Sequence, residues 1–356
     1  MPLRLAINGY GRIGRCFLRA LRESSVTHDL QVVAINEPAN LESMAYLTRF
    51  DSTHGRFPGS VDVADGQLLI DGQPIRISHA RTPEAVDWHD IDLVVECSGS
   101  YGQREKLAKF INAGCPRLLL SHPGHSADDV DATIVHGINT DSLNGSERLV
   151  SAASCTTNAI VPILALLDRE VGIEQVMLTT LHSVMNDQPL IDGYHHEDLR
   201  RTRSAMQSII PVSTGLARGV ERLLPCLTGK VSAKAIRVPT LNVSAIDLML
   251  NTQRPVSASE INALLAAAAK GPLAGLLALE LGLQCRADLL EGLFSARLNG
   301  GELDHVIAEI GLDRGLGVFA LLQLGQAIGK RLDVGAGGTP AQFAALVLGT
   351  RILGGL

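Results

Sequence analysis

Short apolar runs and helical patterns alternate through the first 150 residues. Leu3–Asn8 is an apolar run of strand length, Phe17, Leu18 and Leu21 follow it at helical spacing, and residues 31–36 form a second apolar run. The alternation continues with apolar runs at 93–97 and 117–121 and a helical pattern at 104–113 between them. Strands that alternate with helices predict an α/β fold with a doubly wound parallel sheet.

A glycine-rich loop joins the first predicted strand to the first predicted helix. Gly9 would make the tight turn, Gly11 would let the backbone approach a pyrophosphate, and Gly14 would let the helix pack against the strand. The helix N-terminus, at Arg12 and Ile13, would then face the anion. The alternative is a turn whose glycines have a structural role only.

The second predicted strand ends at an acid that favours NAD over NADP. Glu37 follows the last glycine by about twenty residues, the spacing at which an acid accepts hydrogen bonds from ribose hydroxyls and repels a 2′-phosphate. Ser98 and Ser121 lie at the carboxyl ends of later strands, where doubly wound sheets bind ligands. We therefore predict a Rossmann-type NAD-binding domain over residues 1–153.

Cys155 is the candidate nucleophile of a second domain, predicted to be an α+β substrate domain over residues 154–271. Small polar residues flank it, and it begins the helix whose apolar pattern covers 160–167, where the helix dipole favours a thiolate. His182 follows a strand pattern at 176–180 and is the candidate base, although an isolated histidine is more often structural. The other cysteines are expected to be small buried side chains: Cys16, Cys97, Cys115, Cys226 and Cys285.

A basic cluster lies in the polar segment 185–207. Such a cluster is usually a solvated surface, but guanidinium groups beside a catalytic cysteine can hold a phosphorylated substrate. The candidates for this role are the arginines of the stretch 198–203, the hydroxyl and backbone donors at 211–215, and Arg237, in a stretch at 236–240 predicted to open a strand.

Composition narrows the function classes. The chain has 356 residues, a formal net charge of −6 and 3% aromatic residues, so we expect no nucleic-acid partner. No apolar run reaches the roughly 18 residues of a membrane span, and six cysteines without a CxxC pair predict a reducing, cytoplasmic compartment. We expect no metal site, because adjacent His195 and His196 cannot share one face and no third ligand follows at a suitable spacing.

Two long motifs resemble those of the glyceraldehyde-3-phosphate dehydrogenase family. They are residues 8–15 (NGYGRIGR) and 154–158 (SCTTN), and the segments 181–183, 209–211 and 237–240 follow the order used in that family, so the match covers about residues 1–270. Within the family the chain looks most like the subgroup that oxidises D-erythrose 4-phosphate. Glu37 stands where the glycolytic members usually have Asp, Met185 stands where they have a phosphate-binding Thr, and residues 182–203 read like that subgroup.

The resemblance implies a covalent mechanism. Cys155 would attack the aldehyde carbon, His182 would take the hydroxyl proton, hydride would pass to NAD, and water would release 4-phosphoerythronate from the thioester. In the glycolytic members inorganic phosphate attacks instead. The resemblance also implies a homotetramer, a role early in pyridoxal 5′-phosphate synthesis, and contacts to the substrate or to a phosphate at Ser154, Thr156, Arg203, Thr214, Gly215 and Arg237.

The resemblance ends near residue 271. Leu, Gly and Ala make up more than half of residues 271–356, and the Asn-x-Glu-Trp-type segment that binds the nicotinamide carboxamide in the family is missing there. A shift of reading frame, a divergent tail with helices at 276–290 and 318–328, or a replaced domain would each explain residues 272–356. Peptide sequencing across 265–356 distinguishes the first interpretation from the others.

Two alternative functions stay open. One is a phosphorylating glyceraldehyde-3-phosphate dehydrogenase, against which Met185 counts. The other is an NAD-binding protein whose catalysis is impaired because the C-terminal part is lost.

Overall fold

A computed structural model describes residues 2–24 and 29–277. Up to residue 151 the helices are α1 (Arg12–Glu23), α2 (Leu41–Arg49) and α3 (Arg104–Asn112). The strands of this part are β1 (Leu3–Asn8), β2 (Leu30–Asn36), β3 (Phe50–Asp51), β4 (Gly55–Arg56), β5 (Val61–Ala64), β6 (Gln67–Ile70), β7 (Gln73–Ser78), β8 (Leu93–Glu96), β9 (Leu118–Leu120), β10 (Ala132–Thr133) and β11 (Leu149–Ser151).

The first part of the chain is built on a nine-stranded sheet in the order β10-β11-β9-β8-β1-β2-β7-β6-β5. The pairs from β10 to β7 are parallel, and β5 and β6 extend the sheet as antiparallel strands. This arrangement confirms the predicted α/β class with a parallel sheet.

Both faces of this sheet are covered, which explains why its strands are apolar throughout. Leu5 and Ile7 of β1 join a buried cluster with Phe17 of α1. The intervening Ala6 joins a second cluster with Phe110 of α3 on the opposite face. Because β1, β2 and β8 are parallel neighbours, their carboxyl ends lie together at one end of the sheet.

The second part of the chain has its own sheet and core. Its elements are α4 (Cys155–Val171), β12 (Ile173–His182), β13 (Ile210–Val212), α5 (Leu216–Leu223), β14 (Val231–Arg237), β15 (Ala245–Thr252) and α6 (Ala258–Lys270). The sheet runs β13-β14-β12-β15, with β12 and β14 parallel and the other pairs antiparallel. Apolar residues of α4, β12 and α6 share one buried cluster.

Two expectations about this part are wrong. The stretch 236–240 does not open a strand, because β14 ends at Arg237 and Pro239 has no N–H to donate to a ladder. Cys226 is exposed, since it lies in the short turn Pro225–Leu227, whose buried residue is Leu227. Cys16 and Cys115 are buried and Cys97 is half-buried, whereas Cys285, the tail at 278–356 and the helix at 318–328 lie outside the described residues.

Within the described ranges, no helix has the length and apolar character needed to cross a membrane.

Candidate active site

Cys155 is the first residue of α4 and is exposed to solvent. The Ser154 side chain caps the helix by accepting a hydrogen bond of 3.1 Å from the Thr157 amide. The Asn158 side chain donates to the carbonyls of Ala152 and Ser154 at 2.7 and 2.9 Å, which fixes the turn into the helix. The sulfur therefore lies at the positive end of a 17-residue helix, where a thiolate is favoured.

His182 faces Cys155 from the end of β12. Its Nε2 lies 3.5 Å from the Cys155 Sγ, within hydrogen-bond distance for sulfur. On the other side of the ring, Nδ1 lies 2.7 Å from the carbonyl oxygen of Ser183 and 2.6 Å from Nη1 of Arg237. The structure thus brings together the predicted nucleophile and the predicted base.

Arg237 reaches His182 because of strand register. β12 and β14 are parallel neighbours, and their last residues, His182 and Arg237, are paired in the ladder. Arg237 is 8% exposed, and burial lowers the pKa of its guanidinium. Asp187 opposes that shift with a carboxylate oxygen 3.6 Å from Nη2 of Arg237.

The arginines of the segment 185–207 form ion pairs with carboxylates of the same segment. Asp187 also pairs with Arg201 at 3.1 Å. Asp198 accepts two hydrogen bonds from the Arg200 side chain, at 2.9 and 2.8 Å, and this contact lowers the pKa of Asp198 to about 2. Arg203, a predicted phosphate ligand, pairs with Asp192 at 2.6 Å and is 59% exposed.

Thr214 and Gly215 lie at the N-terminus of α5. The Thr214 hydroxyl accepts from the Leu216 amide at 3.1 Å, and Gly215 is the cap residue. One turn into α5, a Cβ at Gly219 would come within 3.0 Å of the Thr157 hydroxyl. This close contact places the first turn of α5 against the first turn of α4, beside Cys155. The predicted Thr156 hydroxyl lies 3.2 Å from that of Ser154.

The three glycines of the first loop have different reasons to be glycine. Gly9 has φ +88°, and a Cβ there would lie 2.5 Å from the Ser98 amide nitrogen. A Cβ at Gly14 would clash with the Gly9 carbonyl oxygen. A Cβ at Gly11 would meet nothing within 4 Å. The chain's own packing therefore requires Gly9 and Gly14, whereas the space over Gly11 fits an approaching pyrophosphate.

The N-terminus of α1 offers the donors for such an anion. Gly11 is its cap residue and no side chain caps this terminus, so the cap position offers no side-chain acceptor to the N–H groups of the first turn, at Arg12 and Ile13. The side chain of Arg12 turns toward Asp51 at 3.3 Å, and Ile13 packs against the core.

Glu37 lies directly beside this loop. Its Oε2 accepts a hydrogen bond of 2.7 Å from the Tyr10 amide, and its Oε1 accepts one of 3.2 Å from the Ala39 amide. These contacts hold the carboxylate at the carboxyl end of β2, where the sequence places the ribose ligand.

A buried polar network, which sequence reasoning missed, underlies the same sheet edge. Glu96, at the end of β8, is 0% exposed and accepts hydrogen bonds from the amide and hydroxyl of Ser98 and from the Asn8 side chain. Asn36 donates to Asn8 at 2.8 Å, which extends the network to β2. Burial raises the pKa of Glu96 despite these donors. The asparagines that end β1 and β2 were the available sequence signal, because a polar amide at the end of a buried strand needs a hydrogen-bond partner.

Ser98 and Ser121 both lie at this edge. Ser98 is exposed at its surface, and the Ser121 amide donates to the Glu96 carbonyl at 3.0 Å. A Cβ at Gly9 would contact the Ser98 backbone, so the glycine loop packs directly against the residues that follow β8.

The part of the chain that the structure describes contains no group of three His, Cys, Asp or Glu side chains close enough to hold a metal ion.

A cluster of exposed apolar side chains follows the site along the chain. Its members, each at least 69% exposed, are Leu190, Ile191, Tyr194, Leu199 and Ile209, and we refer to them as the apolar segment. Large apolar side chains that stay exposed within one stretch of chain are a common feature of interaction surfaces.

Comparison with known families agrees with this geometry. Residues 3–104 match the NAD binding domain of glyceraldehyde 3-phosphate dehydrogenase, and residues 154–302 match the C-terminal domain of the same enzyme family. The second match extends past the boundary that the sequence analysis places at residue 271, and together the matches cover more than two thirds of the chain. The first domain is an NAD-binding domain with the predicted parallel sheet. With the cofactor domain and the C-terminal domain both present, the chain belongs to the glyceraldehyde 3-phosphate dehydrogenase family of NAD-dependent oxidoreductases.

Proposed function

We propose that this protein oxidises D-erythrose 4-phosphate to 4-phosphoerythronate through a thioester on Cys155. The observation that carries the proposal is the approach of the Cys155 sulfur to within 3.5 Å of the His182 Nε2, at a helix N-terminus and next to Arg237. A thiol, a base and a cation in this order suit covalent oxidation of a phosphorylated aldehyde.

The chain's own groups would act in sequence. The Cys155 thiolate adds to the aldehyde carbon, and the proton that completes the hydroxyl of the hemithioacetal is later taken by Nε2 of His182. Bound NAD would supply the hydride acceptor for that carbon, and loss of the hydride would leave a thioester on Cys155. Water then attacks the thioester carbonyl, the carbon–sulfur bond breaks, and the thiolate returns with release of the carboxylate and two protons.

The residues proposed to hold NAD lie on the sheet edge described above. The first turn of α1 at Arg12 and Ile13 would bind the pyrophosphate over Gly11, and Glu37 would bind the ribose hydroxyls. Ser98 and Ser121 line the same surface.

The substrate phosphate is proposed to lie among donors next to Cys155. Arg237 is closest to the catalytic pair, and Thr214 and Gly215 offer the N-terminus of α5. Ser154 and Thr156 support the cysteine turn. Arg203 would have to leave Asp192 to take part.

The choice of the four-carbon substrate rests on Glu37, Met185 and the character of residues 182–203, which resemble the erythrose 4-phosphate subgroup. Such an activity would contribute to pyridoxal 5′-phosphate synthesis in the cytoplasm. We further propose that the apolar segment is covered by other copies of the chain in a homotetramer.

The test is NADH formation by the purified full chain with D-erythrose 4-phosphate and NAD in phosphate-free buffer. Turnover without phosphate is expected. Turnover of glyceraldehyde 3-phosphate that depends on added phosphate would favour the phosphorylating alternative. NAD binding by calorimetry without oxidation of either aldehyde would leave only the non-catalytic alternative.

A further inference from the structure

A buried carboxylate lies beneath the end of the sheet where the cofactor loops begin. Glu96 is the last residue of β8 and is 0% exposed. Its Oε1 accepts hydrogen bonds from the amide and the hydroxyl of Ser98, and its Oε2 accepts one from the Asn8 side chain. Because Asn8 directly precedes the glycine loop, the carboxylate contacts two of the loops that surround the proposed NAD site.

Backbone groups fix the orientation of the amides in this network. The Asn36 Nδ2 donates to the Ala80 carbonyl at 3.1 Å, and its Oδ1 accepts from the Ala80 amide at 3.0 Å. The second N–H of Asn36 donates to Oδ1 of Asn8 at 2.8 Å. Nδ2 of Asn8 therefore has to point at Glu96, which has to accept.

This pattern of donors fits the ionised form of Glu96. The Ser98 amide can only donate, and the Ser98 hydroxyl accepts from the Ser100 amide at 3.2 Å and gives its own proton to Glu96. A carboxylate accepts all three hydrogen bonds, whereas a proton on either oxygen would compete with one of these donors. The donors thus oppose the effect of burial, which raises the pKa of Glu96.

Neutral groups surround this charge. In the part of the chain that the structure describes, no Lys, Arg or His side chain pairs with Glu96. An unpaired buried carboxylate is costly for the folded chain, and a cation bound above it lowers that cost.

The strand order places Glu96 toward the reactive end of the cofactor. The order β11-β9-β8-β1-β2 runs from the strand that leads to Cys155 to the strand that ends beside Glu37. A dinucleotide with one ribose at Glu37 and its hydride acceptor toward Cys155 would have to cross the end of β8. The nicotinamide ring is positive in NAD and neutral in NADH.

We propose that Glu96 is a specificity-determining residue that makes the site prefer oxidised NAD over NADH. The attraction between the carboxylate and the ring is present before hydride transfer and absent after it. The diphosphate is the same in both forms, so its repulsion by Glu96 cancels in the comparison. Glu96 would thus favour binding of the oxidised cofactor and release of the reduced one. The proposal rests on the proposed cofactor site but not on the identity of the aldehyde.

The experiment measures the dissociation constants of NAD, NADH and ADP-ribose for the full-length wild type and for Glu96→Gln by calorimetry. Gln has nearly the shape of Glu but no charge. The ratio of the NADH constant to the NAD constant is expected to fall about three- to tenfold in the variant, since one Coulomb interaction with the ring is lost. An unchanged ratio would overturn the proposal.

ADP-ribose separates the effect of charge from an effect of packing. It has the adenosine, the diphosphate and both riboses but no nicotinamide. A purely structural role of Glu96 would weaken all three ligands alike, and this outcome would also overturn the proposal. A wild type that bound none of the three would overturn the cofactor site and this proposal together. The expected ratios without oxidation of erythrose 4-phosphate would overturn only the proposed function.

Two further variants complete the test. Asp62→Asn removes a charge from β5, at the far side of the same sheet, and is expected to keep the wild-type ratio. In the double variant Asn8→Asp with Glu96→Gln, the Gln amide can donate to the new carboxylate, which also accepts from Asn36, so the network is satisfied and the charge stays beneath the site. This protein is expected to fold and to keep a ratio close to that of the wild type, even if Glu96→Gln alone does not fold. A low ratio in the double variant would show that the charge is not what selects the oxidised form.

Discussion

At the scale of single residues, Nδ1 of His182 lies between a hydrogen-bond acceptor and a hydrogen-bond donor. The Ser183 carbonyl needs a proton on Nδ1, whereas the Arg237 N–H needs a lone pair there. The ring therefore has a hydrogen-bond partner in either tautomer. Nε2 can take a proton and return it without leaving the far nitrogen buried and unsatisfied.

Replacement of the nucleophile separates chemistry from cofactor binding. Cys155→Ser is expected to lower turnover by a factor on the order of 10⁴ while the affinity for NAD stays nearly unchanged, because an alkoxide forms far less readily than a thiolate. Steady-state NADH formation and calorimetric NAD titration measure the two effects.

Cys226→Ser is the matched control, since Cys226 is also exposed but lies in a turn away from His182. It should behave as the wild type. Full activity of Cys155→Ser would contradict the covalent mechanism.

At the scale of elements, the loop between β1 and α1 contains two kinds of glycine. Gly9 and Gly14 are required by the packing of the chain, whereas Gly11 is expected to make room for the ligand. Gly14→Ala forces a Cβ against the Gly9 carbonyl and is expected to cost about 1–3 kcal/mol of stability. Gly11→Ala meets open space and should fold normally, but its affinity for NAD should fall about tenfold because the methyl group lies where the pyrophosphate approaches.

Thermal unfolding and NAD titration of both variants check this pair of expectations. If Gly11→Ala bound NAD as tightly as the wild type, the pyrophosphate would not bind at this loop. A Gly14→Ala protein of unchanged stability would show that the helix can move away from β1.

Asp131 links α3 to β11, and the stability that this residue contributes depends on pH in a direction that its pKa determines. Burial alone would raise the pKa of Asp131, but the hydrogen bonds from the Arg104 side chain and from the Leu149 and Arg148 amides lower it overall. Because the folded pKa lies below the ordinary value of 3.8, the stabilisation is present above that pH and is lost as the pH falls below it.

Asp131→Asn is therefore expected to destabilise the protein by about 1–2 kcal/mol at neutral pH, since charge-assisted hydrogen bonds are lost. The urea midpoints of wild type and variant should converge as the pH falls below 3.8. A difference that stays constant over this range would show that the charge of Asp131 is not what matters.

The strands of the first sheet were predictable because both of their faces are buried. β8 and β9 fall within one residue of the apolar runs at each end, since a strand covered on both faces is built mainly from apolar residues. The end of β14 was not predictable, because Ile236 and Val238 are both apolar and only the ladder shows where pairing stops.

Some residues of the candidate site could likewise be predicted from the sequence, and others could not. Cys155 and His182 could be predicted from their residue types and from their positions at the ends of predicted elements, both of which are read from the local sequence. Asp187 and Arg201 could not, because their importance comes from pairing with Arg237, which is far away along the chain. Glu96 was hidden by its apolar neighbours, and its role depends on contacts with Asn8 across the sheet.

At the scale of the whole molecule, the two parts of the chain meet at the nucleophile. β11 ends at Ser151 and α4 begins at Cys155, with Ala153 at φ +60° between them. A non-glycine residue in this conformation is uncommon, and the buried Ala153 belongs to the core of the second part. The cofactor sheet and the reactive sulfur are thus joined by a short, fixed turn.

Assembly is the property of the whole molecule that the apolar segment predicts. Tyr194→Asp is expected to shift the mass measured by light scattering from a tetramer toward smaller species, because a charge would have to be buried against a neighbouring copy. Val63→Asp, on a different surface and 41% exposed, is the control and should keep the wild-type mass. A wild type that is monomeric at all concentrations would contradict the proposed homotetramer.

The ladder between β12 and β14 has a consequence for how natural variants of this protein should be interpreted. Substitutions in β14 that keep its apolar character leave Arg237 opposite His182. A one-residue insertion or deletion among the seven residues of β14 would turn Arg237 to the other face of the sheet, although every chemical group of the site would still be encoded. A change of length in this strand is therefore expected to inactivate the enzyme more surely than most changes of residue type, and genomes should be searched for it as a marker of lost activity.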